Sequence, residues 1–147
     1  MSDRILTADA IFSAADADLR EFVPCPEWGT YPEEVIHPET GAKSTVQKPK
    51  GVFVRAMTMT ERGKIRRLAT IEKADPKSPT GWRDVLDAEK MECLTVVTCA
   101  TDEAGKLLFK PTDAEALMSK VGGPVGRIAK KAMALAGLFL KEEDEGN

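Results

Sequence analysis

Residues 96–115 read Val-Val-Thr-Cys-Ala-Thr-Asp-Glu-Ala-Gly-Lys-Leu-Leu-Phe-Lys-Pro-Thr-Asp-Ala-Glu, and their order decides the fold. An apolar helix end passes through an acidic glycine turn, Thr101 to Lys106, into an extended Leu107–Phe109, and Thr112 opens another helix. The stretch encodes scaffolding and carries no reactive group. What the chain does is therefore to be sought in what it can bind.

Upstream, apolar spacing at Trp82, Val85, Leu86, Cys93, Val96, Val97 and Ala100 predicts a helix over 82–99. Its second half is rich in β-branched residues, but the period carries through from Val85. Asp75, Pro76, Ser78, Pro79 and Gly81 form a break before it. Thr58 with Glu61 makes a capping box that opens a helix over 59–73, weakened at Gly63 by about 1 kcal/mol relative to alanine. Gly51 to Met57 is the best stretch for a strand by β-branched and aromatic content, and a strand is expected over 52–57. It is expected to pair antiparallel with 22–28, where Pro24 and Pro26 permit only an edge strand. Tyr31 to Lys50, with three prolines and a glycine among charges, reads as a long loop. Thr7 caps a short helix inside the N-terminal segment 1–20.

Downstream, Thr112 and Glu115 give a capping box for a helix over 112–121, which Gly122 and Gly123 end. Pro124 then begins a last helix, 124–139, with Val125, Ile128, Ala132, Leu135 and Phe139 on one stripe. Residues 142–147 are an acidic tail. The expected class is α+β, predominantly helical: an N-terminal antiparallel β-pair followed by about four α-helices in one small domain over 21–141.

Composition bounds the function. The chain has 147 residues and 42% apolar content, enough for one core. A net charge of −3 and a pI near 5.3 lack the basic footprint of a nucleic-acid binder. Cys25, Cys93 and Cys99 are odd in number and far apart, and the N-terminus lacks a secretory pattern, so a reducing cytoplasm is expected. The longest apolar run, Ala132 to Leu140, is less than half of the roughly 20 residues that span a membrane.

Catalytic patterns are equally thin. His37 with the three cysteines lacks the paired spacing of a structural zinc site, and Cys93 and Cys99 fall on different faces of a helix. One histidine, no nucleophile elbow and no phosphate-cradling loop leave hydrolysis and phosphoryl transfer without parts. Gly122, Gly123 and Gly126 near Arg127 resemble a phosphate nest only weakly. The expectation is a protein that is not an enzyme, with no cofactor and no metal.

Charge is segregated: acids dominate 1–47, and bases dominate 48–73. Arg62, Arg66 and Lys73 lie along one helix face, with Lys64 and Arg67 beside them. This is a solvated face, a contact for an acidic partner, or the surface of a small nucleic-acid-binding regulator using the helix 60–73. Five methionines follow the first residue, at 57, 59, 91, 118 and 133. Methionine fills core gaps and also suits surfaces that accept differing partner helices. In the last helix Met133, Gly137, Leu138 and Leu140 fall outside the apolar stripe, and a helix apolar all round needs cover on every side. The candidate partner-binding residues are Met133, Gly137, Leu138, Leu140, Met118, Arg62 and Arg66.

One resemblance joins these pieces. Trp28-Gly29, the strand Val52-Phe53-Val54-Arg55-Ala56 leading into Met57-Thr58-Met59-Thr60-Glu61-Arg62, the helix end Val96-Val97-Thr98-Cys99, then Asp102 to Phe109 and Thr112 to Leu117, resemble the tail assembly chaperones of long-tailed bacteriophages and prophages. The similarity spans about Thr7 to Leu140 and departs from the family at the loop 31–50 and at Pro76 and Pro79. The resemblance implies a non-catalytic protein of the host cytoplasm that binds the tape measure protein and keeps it soluble while the tail tube polymerises. It also implies two forms made by ribosomal frameshifting, of which this chain looks like the shorter. The tail tube protein, the longer form and further copies of the chain are the other partners it suggests.

Overall fold

Two stretches that read as a loop and as a helix break are turned into hairpins by their prolines and glycines, and the balance of the fold changes accordingly. The computed structural model describes residues 4–14 and 19–137. In chain order the elements are α1 (Ala8–Ser13), β1 (Arg20–Pro24), β2 (Thr30–Ile36), β3 (Lys43–Pro49), β4 (Gly51–Arg55), α2 (Met59–Ala69), β5 (Thr70–Ala74), β6 (Trp82–Leu86), α3 (Ala88–Cys99), β7 (Ala100–Thr101), α4 (Ala114–Leu117) and α5 (Gly122–Leu135). Seven strands in three sheets stand beside five helices among the described residues, so the fold is mixed α+β and not predominantly helical.

The expected strand pair forms. β1 runs antiparallel to β4 in the register Phe22↔Phe53 and Val23↔Val52, and β7 adds on the far side, so β1 is an edge strand. What was read as a long loop between them is the β2–β3 hairpin, paired from Thr30↔Pro49 to Ile36↔Lys43. It prolongs the β1–β4 ladder: Cys25 donates to the Lys50 carbonyl at 2.7 Å and Lys50 to the Gly29 carbonyl at 3.0 Å. Between them the chain makes a 3-10 turn, Pro26–Trp28, and returns to the ladder at Gly29, whose φ of 146° a side chain would resist.

The second correction concerns residues 70–87. The helix expected to reach Lys73 stops at Ala69, and the one expected from Trp82 starts at Ala88, because 70–74 and 82–86 pair as the hairpin β5–β6 around the Asp75–Gly81 turn. Asp87 is the true N-cap of α3, accepting from the Lys90 amide at 3.2 Å. Its own amide donates to the Ala69 carbonyl at 2.8 Å, closing the end of α2. The helix expected over 112–121 is a 3-10 turn, Pro111–Asp113, followed by the single turn α4. Gly122 and Gly123, read as a helix end, form the first turn of α5, which ends at Leu135; residues 138 and 139 of the expected helix lie outside the described residues.

Burial centres on α3. Cys93, Leu94, Thr95, Val96, Val97 and Cys99 are buried, and the core continues through Val23, Val54, Ile65, Ala69, Leu117, Val125, Ile128 and Ala132. α2, α4 and α5 pack on α3, and α5 also meets β1 and β4. Lys131 of α5 ion-pairs with Glu21 at 2.8 Å, and Arg127 donates to the Pro24 carbonyl at 2.6 Å while pairing with Glu27. On the strand side, Arg55 ties three elements. Its guanidinium donates to both carboxylate oxygens of Glu61, at 2.9 and 2.6 Å, and to the Thr98 carbonyl at the end of α3, at 2.8 Å. Glu61 also accepts from the Thr58 amide at 2.9 Å, completing the capping box read in the sequence.

Two measurements check this frame. A Cβ at Gly51 would lie 2.1 Å from the Val23 carbonyl and 2.9 Å from Pro24 Cα, so Gly51→Ala must distort the β1–β4 register. Urea unfolding should show a loss of about 1–3 kcal/mol. The Arg55 guanidinium holds the Glu61 carboxyl below the usual carboxylate range. Its contribution is present above the unfolded carboxylate pKa and is lost as pH falls through the lowered folded value. Glu61→Gln should therefore cost about 2 kcal/mol near neutrality, a charge-assisted hydrogen bond's worth. The gap to wild type should close in acid.

Candidate partner-binding groove

Methionine on facing elements leaves soft, irregular seams, and two of these meet on one side of α3. Between α3 and α5, Ala88, Met91, Glu92, Gly126, Ala129, Lys130 and Met133 line a hollow of about 350 Å³. Beside it, Met57, Arg62, Ile65, Arg66, Met91, Thr95 and Met133 line another of about 160 Å³, under α2. Met91 and Met133 line both, so the two hollows adjoin across these side chains, and together they are treated as one groove bounded by α2, α3 and α5. Helical spacing builds each side: Met91 and Thr95 are one turn apart on α3, as are Ala129 and Met133 on α5.

The floor is made of buried side chains. Ile65, Thr95 and Ala129 are buried, and the Thr95 hydroxyl donates to the Met91 carbonyl at 2.8 Å, which leaves no polar demand below. Met57 and Met91 are half-buried and pack against the core, and Met133 is half-buried. The rim is mainly basic. Arg62 is half-buried, Arg66 and Lys130 are exposed, and none of the three is in an ion pair among the described residues. Glu92, exposed on the α3 side, is the rim's acid. An apolar floor of sulfur and methyl groups between cations is suited to an amphipathic helix with acidic flanks, and it offers no reactive group.

Of the residues nominated from sequence, the structure brings Met133, Arg62 and Arg66 into this groove. Met118 is 48% exposed but lines a different hollow with Leu117, Lys120 and Val125. Gly137 follows the last turn of α5 with a φ of 77°, and its amide donates to the Ala134 carbonyl at 3.0 Å, the geometry of a helix stop. Leu138 and Leu140 lie outside the described residues, as does the acidic tail. Sequence reasoning missed Met57, Met91, Ile65 and Lys130 as wall residues. The available signal was the methionine count together with the one-turn spacing of Met91 and Thr95.

The thiols and the histidine do not converge. Cys25, Cys93 and Cys99 are buried and free. Burial raises the pKa of all three, that of Cys99 to about 12, with Arg55 nearby opposing the rise only in part. His37 sits at the β2–β3 turn, with Nε2 3.1 Å from the Ser44 hydroxyl. No group of three or more His, Cys, Asp or Glu among the described residues could hold a metal ion. No helix among them is long and apolar enough to cross a membrane.

No protein-family model and no curated protein matches this chain. Among solved structures, it is similar to that of the bacteriophage HK97 tail assembly chaperone, at 15% identity over 72% of this chain and 85% of that one, with a TM-score of 0.42.

The thiol burial has a direct check. A thiol reagent at pH 8 should leave all three cysteines unmodified in the folded chain and titrate all three in denaturant, since thiolate is the reactive form. Rapid reaction in the native state would contradict the packing around α3.

Proposed function

We propose that this chain is a phage tail assembly chaperone that holds apolar helical segments of the tape measure protein in the groove walled by Met57, Met91 and Met133. The observation that carries the reading is that groove, with its apolar floor and the rim formed by Arg62, Arg66 and Lys130. The sequence resemblance over Thr7 to Leu140 supports it independently. The role needs no catalysis, and we propose none.

The energetics suit a holding partner. Each Leu, Ile or Met side chain moved from water into the groove contributes roughly 1.5–3 kcal/mol. Two or three such contacts, less the cost of association, give weak and reversible single sites. A long client engaging many copies gains avidity without any tight site. Methionine walls also accept differing side chains by changing rotamer, which a partner with a varied apolar seam requires.

A test is coexpression with the tape measure protein encoded in the same genome. Met133→Asp should abolish its solubilisation while circular dichroism and melting of the chaperone stay near wild type. Met118→Asp, on another hollow, should retain it. Rescue by Met133→Asp would remove the groove from consideration. Binding to DNA or RNA that weakens steeply with salt and with neutralised Arg62 and Arg66 would favour a nucleic-acid role for α2 instead.

A further inference from the structure

The groove described above has a candidate occupant within the same chain. α1 spans six residues, and none of them is buried. Ile11 and Phe12 are 53% and 86% exposed, and Ile5 and Leu6 just before the helix are 73% and 69% exposed. Thr7 caps the helix by accepting from the Ala10 amide at 3.1 Å. Ala8, Ile11 and Phe12 share a face, and Asp9 and Ser13 lie away from it. An isolated helix shorter than about 12–15 residues is marginal in water, so α1 needs an apolar surface to lie on.

The chain supplies that surface close by. The Ala56 amide donates to the Leu19 carbonyl at 3.0 Å, and Met57, the next residue, is a wall of the groove. Between α1 and Leu19 stand residues 14–18, which reach about 17 Å when extended at about 3.3 Å per residue. The N-terminal segment is therefore tethered beside the Met57 wall of the groove, at high effective concentration. Charge agrees with this placement. The segment carries Asp3, Asp9, Asp16 and Asp18 against Arg4, and the rim presents Arg62, Arg66 and Lys130 against Glu92.

We propose that α1, with Leu6, Ile11 and Phe12 as its anchors, docks in the methionine groove of its own chain and is displaced when a client helix binds. The inference rests on the groove being the client site. The structure presents the undocked arrangement, with the anchors exposed. Docking in cis shields two apolar surfaces at once while no client is present, and it makes the client compete with an intramolecular ligand.

The test uses the full chain with methyl-labelled methionine and a nitroxide on Ser13→Cys. Signals of Met57, Met91 and Met133 should broaden, Met118 should not, and the effect should be unchanged on tenfold dilution. Adding Ile11→Asp and Phe12→Asp should remove the broadening. A synthetic peptide of residues 4–14 should then bind this variant about tenfold more tightly than wild type, because the groove is vacated. No broadening overturns the proposal, as does broadening that fades on dilution, which would report docking onto a second copy. The client reading fails separately: if Met133→Asp still solubilises the tape measure protein while the cis broadening is present, the groove serves α1 alone. If solubilisation depends on Met133 and no broadening occurs, the groove serves the client alone.

Discussion

A helical run that is buried on every side must be covered on every side, and the second half of α3 imposes that demand on a chain of 147 residues. Its buried run from Cys93 to Val97, with Cys99 and Ala100 beyond, has no solvent face. The polar groups within it are internally quenched: Thr95 and Thr98 return their hydroxyls to the Met91 and Leu94 carbonyls, each at 2.8 Å. The last turn needs a donor, and Arg55 supplies it at the Thr98 carbonyl, where a cation also suits the negative end of the helix dipole. The same guanidinium binds Glu61, which caps α2. One arginine on a strand thus sets the start of one helix against the end of another. The cover of α3 is completed by α2 on one side, α5 on another, and the sheet where α3 runs straight into β7.

With so much apolar material committed to α3, little remains to anchor the rest. The hairpins β2–β3 and β5–β6 are mostly exposed along their length. In β5–β6, Glu72 faces Asp84 and Lys73 faces Arg83, like charges directly opposed, which weakens a two-stranded ribbon. Only Asp75 with Arg83, at 3.8 Å, offsets this. Apolar side chains are left exposed on α1 and on both hairpins, among them Phe12, Ile36 and Trp82, while the seams between α3 and its covering helices are only half-buried. Methionines occupy the seam shared by α2, α3 and α5 because no single shape has to fit there.

Local chemistry was legible where local forces rule. The Thr58–Glu61 capping box, the β1–β4 pairing and the edge position of β1 could be read because caps, β-branched residues and prolines act within a few positions. The hairpins were hidden for a physical reason. β2–β3 is wet on both faces, so Glu33, Glu34, Lys43, Gln47 and Lys48 show no alternation between apolar and polar, and its prolines mimic a loop. In β6, Trp82, Val85 and Leu86 happen to fall at helical spacing from α3, and that continuity conceals the Asp87 cap that separates the strand from the helix. The groove needed tertiary knowledge. Met57, Met91 and Met133 are far apart in sequence and converge only once α2 and α5 are laid on α3. Arg62, Arg66 and Met133 were visible beforehand as charge and methionine out of place, a compositional signal, whereas Met118 carried the same signal and lies elsewhere.

The proposed docking of α1 in the groove would change what affinity for a client means. If α1 occupies it about nine-tenths of the time, each groove binds a client about tenfold more weakly than an empty one would. For a single short helix that loss is decisive, so stray apolar segments are rejected. For a long polypeptide presenting many seams it is not, because every further copy bound along the same client adds to the avidity. Self-occupancy therefore converts a permissive surface of methionine into one that selects by length and repetition. The selectivity comes from competition with the Ile11 and Phe12 face of α1, not from shape, and the softness of the walls is what allows both occupants.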